Sequence, residues 1–142
     1  MKKGSSAQEP ELIVRHAGGY QFRYDIEQVQ REVDGEIVTE WQYDHVNVPA
    51  NSVTGDLGRF YHKTVRGRKM DALTVTTASG KIFDADEVSQ TRMTRSLQTA
   101  ALTGQTETPW GMADNTVQVV TVAEMQEALA LAMQAQAALW FA

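Results

Sequence analysis

The sequence predicts an α+β fold made of antiparallel β-hairpins with two C-terminal α-helices. Apolar and polar side chains alternate on both sides of the turn dipeptide Asp34-Gly35, which is the pattern of a β-hairpin. The period of the apolar residues changes from two to that of a helix after Asp84. A capping box, Thr121 with Glu124, then opens a second apolar helix.

The composition is that of an ordinary globular protein. The chain has 142 residues, of which 42% are hydrophobic and 22% charged, so it is long enough for one domain or two very small ones and is expected to fold. A formal net charge of −5 argues against a surface that binds nucleic acid or an anionic membrane as a whole. Because the chain contains no cysteine, disulfides, thiol nucleophiles and thiolate metal ligands are excluded.

The first ten residues are polar and contain Gly and Ser, which predicts a flexible N-terminal tail over residues 1–10. They lack the apolar stretch of a signal peptide. No apolar run reaches the roughly 18–20 residues that span a bilayer, so we expect no membrane insertion.

Residues 11–70 are expected to form an N-terminal β-hairpin region. A long hairpin is predicted from Gly19 to Val48, with alternating aromatic residues in both arms, and Leu12 to Val14 could add a short strand. Residues 51–69 show helical spacing but contain three glycines, each of which costs about 1 kcal/mol in a helix relative to alanine. They predict a short helix with loops.

Residues 71–142 are expected to form a C-terminal α+β domain. Leu73 to Thr77 and Lys81 to Phe83 predict a second hairpin. Asp84, three residues before Glu87, is predicted to cap a helix that ends at Gly104. A third hairpin is predicted to pair residues 110–112 with residues 116–120, before the helix that starts after Thr121.

This last helix is apolar over more than the usual arc, because two adjacent faces carry apolar side chains. One stripe is expected to pack within the domain. The second stripe must be covered either by a partner chain or by hairpins of the same chain. The sequence leaves both interpretations open.

No residue pattern indicates an enzyme. The histidines His16, His45 and His62 lack the three- or four-residue spacing of a local metal motif. The acidic cluster from Asp84 to Glu87 leads directly into a helix, so it is interpreted as helix capping rather than a Ca²⁺ loop. The motifs of serine hydrolases, phosphate-binding loops and dinucleotide-binding turns are absent. We expect no catalytic residue, no cofactor and no metal site.

One basic run stands out between residues 59 and 69. Five cations surround two aromatic side chains, an arrangement that can bind phosphates and stack bases. The net negative charge of the chain makes nucleic acid a less favoured partner than an acidic protein surface. The cations of this candidate patch are Arg59, Lys63, Arg66, Arg68 and Lys69.

Several segments of the C-terminal half, in order, carry a family resemblance. They are Ile82-Phe83-Asp84-Ala85-Asp86-Glu87, Gln90-Thr91-Arg92-Met93, Thr106-Glu107-Thr108-Pro109-Trp110 and Glu124-Met125-Gln126-Glu127-Ala128-Leu129. Together they resemble a domain of unknown function found in tailed-phage and prophage proteins associated with tails and tail fibres. The resemblance covers about residues 73–142. It implies no catalytic residues and assigns Asp84, Asp86, Gln90 and Arg92 to capping and orienting the first C-terminal helix.

The resemblance implies a virion structural protein of the tail, baseplate or tail-fibre region, present in the host cytoplasm during assembly. Its expected partners are other tail or fibre proteins, within a homo-oligomer or another symmetric assembly. The alternatives are a fibre-assembly chaperone that is absent from the mature particle and a nucleic-acid-binding accessory protein. The candidate docking residues, chosen as aromatic or apolar anchors, are Trp41, Tyr43, Trp110, Leu131, Leu139, Trp140 and Phe141.

Overall fold

A computed structural model describes residues 3–141 of the chain. These residues form two units, and the division expected after residue 70 lies between Val65 and Arg66. The part before the division is called here the N-terminal unit, and the part from Arg66 onward the C-terminal unit. The predicted α+β class, with antiparallel sheets and two helices near the C-terminus, is confirmed.

A four-stranded antiparallel sheet with the order β1-β4-β3-β2 forms most of the N-terminal unit. Its two long central strands are the predicted hairpin. Asp34 and Gly35, with φ of 52° and 81°, make the connecting turn, as two-residue hairpin loops require. The strands are β1 (Lys3–Ser6), β2 (Ile13–His16), β3 (Gly19–Val33) and β4 (Glu36–Pro49).

The prediction of a flexible tail over residues 1–10 is wrong for the part that the structure describes. Residues 3–6 are strand β1, in which Ser6 lies opposite Trp41 of β4, and Pro10 is buried. Strand pairing uses backbone groups that every residue except proline carries. A polar Gly/Ser segment can therefore complete a sheet without showing a hydrophobic pattern. Met1 and Lys2 lie outside the described residues.

A helix of 15 residues, α1 (Leu57–Asp71), follows a short 3₁₀ turn at Ala50–Ser52. It is longer than predicted, because its glycines are tolerated once the helix is capped and packed. Asp56 accepts a hydrogen bond from the Arg59 backbone N–H at 2.9 Å, which is an N-cap contact. The core of the N-terminal unit consists of Phe22, Tyr24, Val48, Tyr61 and Val65.

Two separate two-stranded antiparallel sheets and two helices make up the rest of the C-terminal unit. Both predicted hairpins and both predicted helices are confirmed. The elements are β5 (Thr74–Thr76), β6 (Ile82–Asp84), α2 (Glu87–Thr103), β7 (Glu107–Gly111), β8 (Val117–Thr121) and α3 (Val122–Phe141).

The capping residue of α2 is Asp86 and not, as predicted, Asp84. The Asp86 side chain accepts a hydrogen bond from the Ser89 backbone N–H at 3.3 Å. Asp84 is the last residue of β6 and pairs with Thr74, so it lies too early in the chain to cap the helix. The predicted stop at Gly104 is confirmed by its left-handed φ of 71°.

The capping box of α3 is confirmed. The backbone N–H of Glu124 donates to Thr121 Oγ1 at 3.1 Å, and the N–H of Thr121 donates to Glu124 Oε1 at 3.5 Å. Within residues 3–141, no helix is long and apolar enough to cross a membrane.

The core of the C-terminal unit lies between the two hairpins and the inner faces of α2 and α3. Its buried members are Val75, Phe83, Ala85, Met93, Met112, Val120, Met125, Ala128 and Ala132. At the edge of this core Gln90 of α2 donates to the Ala85 carbonyl and to Gln136 Oε1, both at 2.9 Å. Gln136 in turn donates to Glu87 Oε1 at 3.2 Å. These bonds tie α2 to α3 and fix the orientation of the last turns of α3.

Candidate docking surface

Helix α3 packs one face against the core of its own unit. Met125, Ala128 and Ala132 are almost fully buried. Leu131, a predicted docking residue, packs against the same core. It is half-buried, so part of its side chain already has contacts within the unit.

The opposite face of α3 is exposed and carries no charge. Ala130, Met133, Ala137 and Phe141 follow one another at helical spacing and are all exposed. The acidic residues of the helix, Glu124 and Glu127, lie in its first two turns, and no charged residue follows in the helix. Exposed faces of globular helices are normally rich in charge. The surface formed by these four residues is called here the α3 outer face.

A groove of about 290 Å³ lies beside the C-terminal end of α3. Trp140, which is 45% exposed, forms part of its wall. The Arg66 guanidinium carbon lies 4.7 Å from the centre of the Trp140 ring, within cation–π range. The remaining lining residues are Gly67, Met70, Asp71, Asp86, Glu87 and Val88.

The groove combines an apolar wall with a net negative lining. One cation, Arg66, faces three carboxylates, those of Asp71, Asp86 and Glu87. Two of these carboxylates have structural bonds, since Asp86 caps α2 and Glu87 accepts from Gln136. The groove is therefore suited to a partner segment with an apolar side chain next to a basic one.

Four more predicted docking residues are partly or fully buried. Tyr43 is buried, with the Arg23 guanidinium 4.7 Å from its ring centre. Trp110 is half-buried and packs against the core of the C-terminal unit. Trp41 and Leu139 are half-buried. The assignment of Tyr43 is wrong, and of the seven candidates the exposed ones are Trp140 and Phe141.

The cations of the basic run lie along α1 and differ in exposure. Arg59 and Lys63 are exposed on the first turns of α1. Arg66 stacks on Trp140, and Arg68, two positions further on, projects from the helix about 200° away from it. Lys69 is half-buried. Arg59 and Lys63, four residues apart, thus share one side of α1, whereas Arg68 and Arg66 lie on opposite sides.

Three side chains have shifted pKa values, and each shift has a structural cause. Burial, and then the negative charge of Asp25, raise the pKa of the Tyr61 phenol, whose hydroxyl donates to the Arg23 carbonyl. The Lys81 ammonium, 2.7 Å away, lowers the pKa of Glu124. Hydrogen bonds from Thr116 lower the pKa of Asp114 in the β7–β8 loop. Asp114 stabilises a turn, Glu124 takes part in the capping box of α3, and Tyr61 makes a core contact.

Among residues 3–141, no group of three or more His, Asp or Glu side chains could hold a metal ion. A family described as Domain of unknown function (DUF4376) matches residues 61–142, which is more than half of the chain. The chain belongs to this family, and the match includes the whole groove and the α3 outer face. No curated protein and no solved structure matches the chain.

Proposed function

We propose that this chain is a structural protein of a phage particle, in the tail, baseplate or tail-fibre region, and that it acts by docking α3 onto a partner subunit. The phage context rests on the resemblance carried by the segments from Ile82 to Leu129. The docking mode rests on one observation, the exposed and uncharged α3 outer face, where Phe141 is 90% exposed.

The α3 outer face has properties that favour burial against a partner. A docked surface loses its water, and charged side chains make that loss costly. The α3 outer face has none, so burying it carries little desolvation penalty. Phe141 and the free side of Trp140 are the aromatic anchors that dominate interface energies. The small side chains of Ala130 and Ala137 allow a partner helix or strand to approach closely.

The groove beside Trp140 adds selectivity to this contact. Its carboxylates attract a basic side chain, while Val88 and Met70 accept an apolar one. Arg66 already covers one side of the Trp140 ring. A partner therefore contacts the other side together with Phe141, and the natural partners are other tail or fibre proteins.

The experiment uses a phage or prophage that encodes the chain, with Phe141→Asp introduced into its gene. The matched control is Leu102→Asp on α2, because Leu102 is 89% exposed and also lies on a helix. Quantitative mass spectrometry of purified particles measures the copies of the chain per particle. Loss of a docking anchor costs at least about 2 kcal/mol, so we expect Phe141→Asp to lower the copy number more than tenfold while Leu102→Asp leaves it unchanged.

Equal copy numbers for both variants would contradict docking through α3. The unmodified chain provides a separate result in the same measurement. If it is absent from purified particles but required for infectious ones, the chain is an assembly chaperone and the structural assignment is wrong.

A further inference from the structure

Two charged side chains near the start of α2 do not serve the helix cap to which the family resemblance assigned them. Of the four assigned residues, Asp86 caps α2 and Gln90 ties the helix to α3. Asp84 and Arg92 are exposed, and within residues 3–141 their side chains form no hydrogen bond or ion pair. They do not pair with each other either, although their charges are opposite.

Both side chains line one open groove of about 210 Å³ in the C-terminal unit. Asp84 points away from the core because its neighbour Phe83 is fully buried, and successive side chains of a strand point to opposite faces. Arg92 follows Ser89 by three residues, so the two share one side of α2. The rest of the lining comes from β7 and consists of Pro109, Trp110 and Gly111.

The size and the lining of this groove define what it can hold. Its 210 Å³ equal the share of about seven water molecules in the liquid, below the roughly 300–1,000 Å³ of sites for drug-sized ligands. The groove therefore fits a group of the size of one amino acid. Trp110 provides an aromatic surface for an aliphatic stem and a cation. The Asp84 carboxylate attracts a cation, and the Arg92 guanidinium attracts a carboxylate.

We propose that this groove binds a ligand that carries a guanidinium or ammonium group and a carboxylate on one short chain. Arginine and lysine with a free carboxyl group have this chemistry, either as free amino acids or as the C-terminal residue of a peptide. The ligand cation pairs with Asp84 beside the Trp110 ring, and the ligand carboxylate accepts hydrogen bonds from Arg92. A ligand with a single charge would leave one of the two side chains without a partner.

Binding is weak and depends on salt. The two charged side chains are exposed, so each ion pair with the ligand contributes little, and added NaCl screens both pairs. For a ligand of about 15 non-hydrogen atoms we expect a dissociation constant of about 1 mM. The groove is separate from the α3 outer face, so this inference does not rest on the proposed α3 docking.

The test is an NMR titration of the ¹⁵N-labelled full-length chain with Nα-acetyl-L-arginine, followed at the indole N–H of Trp110. Two analogues each lack one charge. Nα-acetyl-L-argininamide has no carboxylate, and Nα-acetyl-L-citrulline has no cation. We expect a saturable shift with the acid and at least about threefold weaker binding of each analogue. L-Arginine is titrated in parallel. If it binds more tightly than the acetylated form, the source is the free amino acid, and the reverse order identifies a peptide C-terminus.

Variants of the chain assign each ligand charge to one side chain. Arg92→Gln should bind Nα-acetyl-L-arginine no more tightly than its amide, and Asp84→Asn no more tightly than the citrulline analogue. The controls are Arg95→Gln on α2 and Glu107→Gln on β7, which make the same changes of charge at exposed positions outside the groove lining. Both controls should retain the affinity of the natural chain.

Three results would overturn the proposal. The first is the absence of a saturable shift up to about 20 mM, well above the expected dissociation constant. The second is equal affinity for the acid and both analogues. The third is a loss of affinity in the control variants as large as in Arg92→Gln and Asp84→Asn. Phe141→Asp should leave the titration unchanged, and this result separates the groove from α3 docking.

Discussion

A phenylalanine-to-alanine comparison at two sites tests whether the end of α3 belongs to the core or to a docking surface. Phe83 of β6 is fully buried in the C-terminal unit, and Phe141 of α3 is 90% exposed. A phenylalanine side chain has about 200 Å² to bury. At about 25 cal/mol per Å², full burial contributes about 5 kcal/mol, and burial of one tenth contributes about 0.5 kcal/mol.

We therefore expect Phe83→Ala to lower the free energy of unfolding by about 3–5 kcal/mol, since a cavity is left behind. Phe141→Ala should lower it by about 0.5 kcal/mol or less, because alanine also has the higher helix propensity. Urea unfolding of the full-length chain, followed by far-UV circular dichroism and tryptophan fluorescence, measures both values. Low micromolar protein keeps any self-association out of the measurement.

The refuting result concerns Phe141. If Phe141→Ala lowers the free energy of unfolding by more than about 1.5 kcal/mol, the Phe141 ring is packed within the chain. The α3 outer face would then not be available to a partner. A loss near zero at Phe141 with a large loss at Phe83 means that the Phe141 ring is not needed for folding and is accessible to a partner.

Two further predictions concern structural contacts. Because the pKa of Tyr61 is raised in the folded chain, its contribution to stability is complete below the unfolded value of about 10 and is lost as pH rises above it. Tyr61→Phe should lower the free energy of unfolding by about 1 kcal/mol at pH 7, because the bond to the Arg23 carbonyl is lost. Urea unfolding should show that the difference in stability between this variant and the natural chain shrinks above pH 10. A difference that stays constant with pH would contradict the raised pKa of Tyr61. Asp86→Ala should lower the free energy of unfolding by about 1 kcal/mol in the same assay, because Asp86 caps α2. Asp84→Ala should lower it clearly less. A larger loss for Asp84→Ala would show that Asp86 is not the cap.

Local chemistry made much of this fold predictable from the sequence. The Asp34-Gly35 turn, the Gly104 stop and the Thr121–Glu124 box each depend on residues within a few positions of one another. Such signals are independent of the rest of the chain. Strand β1 could not be found in the same way, because a four-residue polar segment pairs through its backbone with a strand far away in sequence.

The candidate docking residues show the same limit. Tyr43 and Leu131 are buried or core-facing, while Phe141 is exposed. Nothing within a few residues of each distinguishes them, because the distinction depends on which face of each element meets the core. The helical spacing of α3 did predict two apolar stripes. The structure packs residues of both stripes against the core, Met125 and Ala132 from one and Ala128 and Leu131 from the other. The exposed α3 outer face is a further side of the helix, where Ala130, Ala137 and Phe141 belong to neither predicted stripe.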